Sequence, residues 1–217
     1  MIQSVDLALA LRHLSARPQP LRSGARARGE ALETIQREAL ARPAFGYRIL
    51  QVQNVRGDAI DVGDATLNAP ALAAETLGLK AVAAAVCTLG PAVQERISAL
   101  FATRRRSLAL ALDTVANELL FRLADRASAT IRREARRAGL GVGSEASPGD
   151  PGVPLEQQAR VLALAEAARI GIHATCAGML WPMKSLSFLV ALGPNLRGRS
   201  APQRCNCCPS RDRCAAK

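Results

Sequence analysis

Four of the six cysteines in this 217-residue chain lie close together near its C-terminus, at Cys205, Cys207, Cys208 and Cys214. Thiolates bind soft and borderline metal ions, and neighbouring arginines favour the thiolate form. Dense thiols in an intracellular protein more often bind a metal than form disulfides. The cluster therefore predicts an iron–sulfur cluster or a zinc ion, with a redox-labile, unliganded thiol tail as the alternative.

The spacing of these thiols leaves the identity of the metal open. The pattern C-x-C-C-x5-C differs from the paired C-x-x-C layout of common zinc folds. Because Cys207 and Cys208 are adjacent, one of the two is expected to be spare. The remaining cysteines, Cys87 and Cys176, lie alone in apolar surroundings and are predicted to act as small buried hydrophobes.

Acid–base and nucleophilic chemistry has little support in the sequence. The two histidines, His13 and His173, do not belong to any suggested grouping of acid, histidine and nucleophile. The chain also lacks a phosphate-binding loop and a dinucleotide-binding fingerprint. We therefore assign no catalytic residue from the sequence.

The composition predicts one substantial globular domain, since 49% of the residues are hydrophobic and 22% are charged. No apolar run approaches the roughly 20 residues of a membrane helix, and the start lacks the features of a signal peptide. We therefore expect a cytoplasmic protein that does not enter a membrane. The formal charge of +11 is spread along the chain, and aromatics are few. This argues against nucleic-acid binding and favours an acidic protein partner.

The strand predictions rest on short apolar runs bounded by turn residues. Gly57 and Asp58 form a turn signal between the first two runs, and the third is apolar throughout. The predicted strands are residues 45–55, 59–62, 81–88, 170–176 and 185–192.

The helix predictions rest on apolar residues three and four positions apart. The longest helical stretch is expected to break near residues 103–107 and to stop at Gly139. Residues 139–154 are rich in Gly, Ser and Pro and are predicted to be a loop. The predicted helices are residues 5–14, 29–41, 71–77, 91–138 and 155–169.

This order of elements predicts an α+β fold, a single domain with a mostly antiparallel sheet and long helices packed on it. Three segments are expected along the chain. Residues 1–44 form an N-terminal helical segment, residues 45–193 form the core, and residues 194–217 form a basic, Cys-rich tail.

Several ordered segments carry a family resemblance: Phe45-Gly-Tyr-Arg48, Val86-Cys-Thr-Leu-Gly90, Leu112-Asp-Thr-Val-Ala-Asn-Glu118, Ser147-Pro-Gly149 and Met179-Leu-Trp-Pro-Met-Lys-Ser-Leu-Ser187. In this order and spacing they resemble the activation domain of cobalamin-dependent methionine synthase, including stand-alone proteins of that family. The resemblance spans residues 45–193, and its last segment is the most specific.

The resemblance implies a C-shaped α+β module that binds S-adenosylmethionine. Such a module helps to reactivate cobalamin whose cobalt(I) has been oxidised to cobalt(II): an electron donor reduces the cobalt, and the methyl group of S-adenosylmethionine traps it. The implied function is therefore an accessory role in the reductive reactivation of a corrinoid-binding methyltransferase, which supplies the cobalamin. The alternative is an iron–sulfur or zinc redox protein on the same scaffold that delivers electrons to a corrinoid protein.

The resemblance also implies residues for binding the cofactor. Asp113 and Glu118 match acidic positions of the family that could face the amine or sulfonium of the ligand, although a solvated helix edge is an equally good interpretation. Ser147, Pro148 and Gly149 match the ligand-binding loop.

Two further positions, Lys184 and Ser185, match a family stretch that could approach the ligand or the corrin. The structural alternative is that Pro182 only forms a corner of the chain and that Trp181 fills the core.

The loop also departs from the family pattern. The family has an Arg shortly before a Pro-Gly-Tyr, whereas Asp150 replaces the Tyr here, and only Arg136 or Arg137 could substitute for the Arg. An Arg would pair with the carboxylate of the ligand, and Glu145 would repel it. These departures count against binding of S-adenosylmethionine at this loop.

Overall fold

A computed structural model describes residues 1–8, 11, 22–75 and 78–197, of which residues 22–24 are described by their backbone alone. Seven strands form one sheet in the order β4-β3-β2-β5-β9-β6, and β1 pairs with the start of β2. Two short strands, β7 and β8, form a separate hairpin. The strands are β1 (Ile2–Ser4), β2 (Ala44–Arg56), β3 (Ala59–Val62), β4 (Ala65–Asn68), β5 (Ala81–Thr88), β6 (Gly141–Ala146), β7 (His173–Ala174), β8 (Leu180–Trp181) and β9 (Ser185–Gly193).

The helices cover both faces of the sheet. They are α1 (Arg22–Arg37), α2 (Pro70–Ala73), α3 (Ala92–Ala102), α4 (Arg106–Arg137) and α5 (Gln158–Leu164), with 3-10 turns at Leu155–Gln157 and Ala167–Ile170. In the described part of the chain, no helix combines the length and the apolar character needed to cross a membrane.

Two apolar cores form because the central strand β5 is buried along its whole length. Alternate side chains of a strand point to opposite faces. On one face, α1, α3 and α4 cover a core that includes Phe45, Leu112 and Phe188. On the other face, α2 and α5 cover a core that includes Leu72 and Leu189. The predicted α+β class with a mostly antiparallel sheet is confirmed.

Helix α3 ends at Ala102 and the long helix α4 runs from Arg106 to Arg137, so the interruption lies at the predicted break. Gly139 follows with φ at +72°, a backbone conformation that glycine adopts without strain. The predicted break and the predicted stop are therefore both confirmed.

The prediction of a loop over residues 139–154 is wrong for its first half, where β6 forms the edge of the sheet beside β9. A Cβ atom at Gly143 would lie 1.8 Å from Glu75 Oε2, and one at Gly141 would lie 2.1 Å from the carbonyl oxygen of Leu196. The glycines that suggested a loop are needed because neighbouring groups approach this strand closely.

The region after the loop also differs from the prediction. The expected helix over 155–169 is interrupted, since Glu166 adopts a left-handed conformation with φ at +54°. The expected strand over 170–176 is reduced to the two residues of β7.

The N-terminal segment contributes a strand as well as a helix, since β1 pairs with β2 from Ile2 to Ser4. Ala31 and Ile35 of α1 are buried in the core shared with α4. Half of the predicted helix over 5–14, residues 9, 10 and 12–14, lies outside the described residues, as do residues 198–217 of the tail.

Candidate functional site

Three polar side chains meet where β9 begins. Lys184 immediately precedes β9, and its side chain lies on the α4 side of the sheet, where Asp113 and Asn117 lie one helical turn apart. Lys184 Nζ donates to Asp113 Oδ1 at 2.6 Å and to Asn117 Oδ1 at 2.7 Å. Asn117 Nδ2 donates to Asp113 Oδ2 at 3.1 Å. The three side chains therefore form a closed polar triangle.

The triangle neutralises the carboxylate of Asp113, which the resemblance expects to face the cationic group of a ligand. Lys184 is only 8% exposed, so its charge needs an anionic partner. Both oxygens of Asp113 are engaged. Sequence reasoning missed Asn117, although its position four residues after Asp113 on a predicted helix is a signal that could have identified it.

The second acidic position, Glu118, binds a different helix. Arg28 of α1 forms a two-pronged ion pair with it, at 2.7 Å from Nη1 to Oε1 and 2.8 Å from Nη2 to Oε2. The two side chains are only 15% and 18% exposed. Two parallel charge-assisted hydrogen bonds are among the strongest polar contacts in proteins. Glu118 thus holds α1 against α4.

Ser185 and Lys184 point to opposite faces of the sheet, because neighbouring residues of a strand alternate. Ser185 Oγ donates to Thr88 Oγ1 at 2.9 Å, and the N–H of Gly90 donates to the same oxygen at 3.0 Å. The structure therefore brings Lys184 and Asp113 together and places Ser185 on the other face.

The loop that contains Ser147, Pro148 and Gly149 is closed by its own hydrogen bonds. The N–H of Ser147 donates to Asp150 Oδ2 at 2.8 Å, and the N–H of Asp150 donates back to the Ser147 carbonyl at 2.9 Å. The N–H groups of Gly149 and Val153 donate to carbonyls of the same loop. Four backbone donors of the loop are therefore engaged within it.

An exposed apolar surface lies next to this loop, and we call it the apolar corner. Large side chains on the chain that leads into β9 alternate between solvent and interior. The outward ones are Met179, Trp181 and Met183, which are 58%, 38% and 52% exposed. Leu155, 44% exposed, completes the corner and lies against Gly149 and Gly178. The interpretation that Trp181 fills the core is wrong.

A shallow apolar groove of about 370 Å³ adjoins the other side of β7. Its rim carries His173, which lies opposite Trp181 in the β7–β8 hairpin. Glu166 also lines the groove, and the hydrogen bond from Arg169 lowers the pKa of its carboxyl group. The groove therefore contains too few polar side chains to indicate that a reaction is catalysed there.

The predicted metal ligands Cys205, Cys207, Cys208 and Cys214 lie outside the described residues. Over the ranges that the structure covers, no group of three or more His, Cys, Asp or Glu side chains could hold a metal ion. Cys176 is exposed, contrary to the expectation that it is buried, while Cys87 is buried.

Comparison with known proteins identifies the class of fold. No family model matches the sequence, and no curated protein matches it. Solved structures do match the chain. One of them, the MetH reactivation domain bound to AdoHcy, superimposes with a TM-score of 0.67 and 17% sequence identity, covering 92% of this chain and 81% of that chain. The chain therefore has the activation-domain fold expected from the resemblance.

S-adenosylmethionine, the ligand implied by the resemblance, does not fit the assigned residues as they are arranged. Asp113 and Glu118 are each neutralised by a cation of the chain itself. The loop donors that could bind a carboxylate are engaged, and the Asp150 carboxylate lies among them. Lys184 and Ser185 are bonded on opposite faces of the sheet.

Proposed function

We propose that this chain is an accessory protein that docks on a corrinoid-binding methyltransferase and supports the reduction of its cobalt from cobalt(II) to cobalt(I). The observation that carries the proposal is the likeness to a reactivation domain over 92% of the chain. Such a role requires no catalytic triad, because positioning and exclusion of water are sufficient contributions from the protein.

The apolar corner is the surface that we propose for docking. Methionines adapt to irregular surfaces, and tryptophan often contributes most of the binding energy at the centre of an interface. Met179, Trp181 and Met183 are exposed, whereas Pro182 and Lys184 in the same segment are buried. A corrin that is exposed on the partner would offer this surface a flat and largely apolar face.

The chemistry that we propose for the corner is electrostatic. A low-potential donor gives up one electron and cobalt(II) takes it up, so the net positive charge of the corrin complex falls by one. An apolar environment disfavours charge. Covering the corrin with the corner therefore favours the reduced state, and no bond to this chain has to form.

The proposal can be tested by mixing the purified chain with a corrinoid methyltransferase that has been oxidised to cobalt(II), together with a low-potential reductant. We expect turnover of the methyltransferase to return faster than with the reductant alone. The same assay with the Trp181→Ala chain should show a smaller gain. Recovery that is equal with and without the chain would overturn the proposal.

A further inference from the structure

Asp113 and Glu118, the residues that the resemblance assigns to the cation of S-adenosylmethionine, are each paired with a basic side chain of the chain itself. We infer that this chain does not bind the amino-acid end of S-adenosylmethionine, because its own Lys184 and Arg28 take the place of the ligand's cation. This inference deepens the proposed function. It rests on that function because S-adenosylmethionine is relevant only as the ligand of a corrinoid-reactivation protein. The chain then works as a docking protein that needs no sulfonium ligand of its own.

Asp113 is already paired within the chain. Its two oxygens accept hydrogen bonds from Lys184 and Asn117, and Lys184 is held by both partners. A ligand ammonium or sulfonium that approached Asp113 would bring a second positive charge beside a buried one. Like charges beside one another repel, and water around the 40% exposed Asp113 side chain weakens this repulsion without removing it.

Both carboxylate oxygens of Glu118 accept hydrogen bonds from the guanidinium of Arg28. This pair is more enclosed than that of Asp113, since both of its side chains are less than one-fifth exposed. Breaking it to admit a ligand would leave the Arg28 guanidinium buried without its partner. Each acidic position is therefore already paired with a cation of the chain itself.

The carboxylate of the ligand would also need a partner on this chain. A carboxylate is bound by backbone N–H groups or by an Arg fork. The N–H groups of Ser147, Gly149 and Asp150 already donate hydrogen bonds to acceptors within the loop. The side chain of Asp150 adds a negative charge at the same place. The N–H groups of these three residues are thus already occupied, and the ammonium would meet carboxylates that are already paired.

Calorimetric titration of S-adenosylmethionine and of AdoHcy into the folded wild-type chain tests the inference directly. We expect no saturable heat, which corresponds to dissociation constants weaker than about 1 mM. The MetH reactivation domain, which was solved with AdoHcy, is the positive control under identical conditions. Saturable binding of either ligand to this chain with a micromolar dissociation constant would overturn the inference.

The titration tests the inference and the recovery assay tests the proposed function, so the two can fail independently. If the chain accelerates recovery of the methyltransferase but binds neither ligand, both statements stand. If either ligand binds and recovery is accelerated, only the inference fails, and Asp113→Asn and Glu118→Gln then show whether the assigned carboxylates hold the ligand. If recovery is unchanged, the proposed function fails whatever the titration shows.

Discussion

Lys184 Nζ lies 2.6 Å from Asp113 Oδ1, and this contact joins the start of β9 to the long helix α4. The two residues are 71 positions apart in the chain. The contact also fixes the end of the apolar corner, because Met183 immediately precedes the anchored lysine. One ion pair therefore stabilises the fold and positions the surface proposed for docking.

Replacing Lys184 with Met should lower the free energy of unfolding by about 1–3 kcal/mol. The variant loses an ion pair whose lysine is nearly buried. The expected loss in the free energy of unfolding stays within this range because the Asp113 side chain is 40% exposed. Urea denaturation measures the change. Lys80, an exposed lysine without an ion pair in the described structure, gives the matched control Lys80→Met. Equal effects of the two substitutions would contradict the role assigned to the pair.

Replacing Gly143 with Ala should destabilise the chain by about 1–3 kcal/mol, because the new Cβ would overlap Glu75 Oε2. The control is Gly29→Ala in α1, where a Cβ would meet no atom within 4 Å. That change should stabilise the chain by about 1 kcal/mol, the difference in helix propensity. Thermal unfolding should show a lower melting temperature for Gly143→Ala and a higher one for Gly29→Ala. An unchanged melting temperature in Gly143→Ala would refute the close approach of Glu75.

Tyr47 is the single tyrosine of the chain, so an alkaline titration followed by phenolate absorbance reports on it alone. Burial, followed by the hydrogen bond to Glu134, raises its pKa from 10.0 to about 12. The folded chain should ionise near pH 12 and the urea-unfolded chain near pH 10. Because the folded pKa is the higher one, the stability from this group is complete below pH 10 and is lost as the pH rises towards 12.

The variant Glu134→Gln separates the causes of this shift. Removal of the carboxylate should lower the pKa of Tyr47 towards its ordinary value, with the contribution of burial left in place. A folded wild-type chain that titrates near pH 10 would mean that Tyr47 is exposed to water and is not bonded to Glu134.

Replacing Trp181 with Ala should weaken binding to a corrinoid methyltransferase by about tenfold or more, the usual effect of losing an aromatic side chain at the centre of an interface. Phe101→Ala is the control, since Phe101 is similarly exposed but belongs to α3. Affinity measured by sedimentation should change only for Trp181→Ala. Equal loss in both variants would contradict docking through the apolar corner.

Much of the sheet could be predicted from the sequence, because β5 is a continuous apolar run and β2 and β3 flank a clear turn signal at Gly57 and Asp58. Strand β6 could not be predicted in the same way. Its glycines are required by contacts with Glu75 and Leu196, which are distant in the sequence, and a local pattern cannot distinguish such glycines from those of a loop.

The candidate site was only partly predictable for a similar reason. The resemblance selected Asp113 and Glu118, but it could not show that Lys184 and Arg28 neutralise them. Both pairs join elements that are far apart in the chain, at separations of 71 and 90 residues. Tertiary ion pairs of this kind depend on the packing of α1, α4 and β9 and leave no periodic signal.

The central claim is that the chain favours cobalt(I) on its partner by covering the corrin with an apolar surface. The most direct test is the midpoint potential of the cobalt(II)/cobalt(I) couple of a corrinoid methyltransferase, measured by spectroelectrochemistry with and without a saturating amount of the chain. We predict a rise of about 60 mV, equivalent to a tenfold shift of this one-electron equilibrium, and a smaller rise with Trp181→Ala. An unchanged or lowered potential at saturation would contradict the claim.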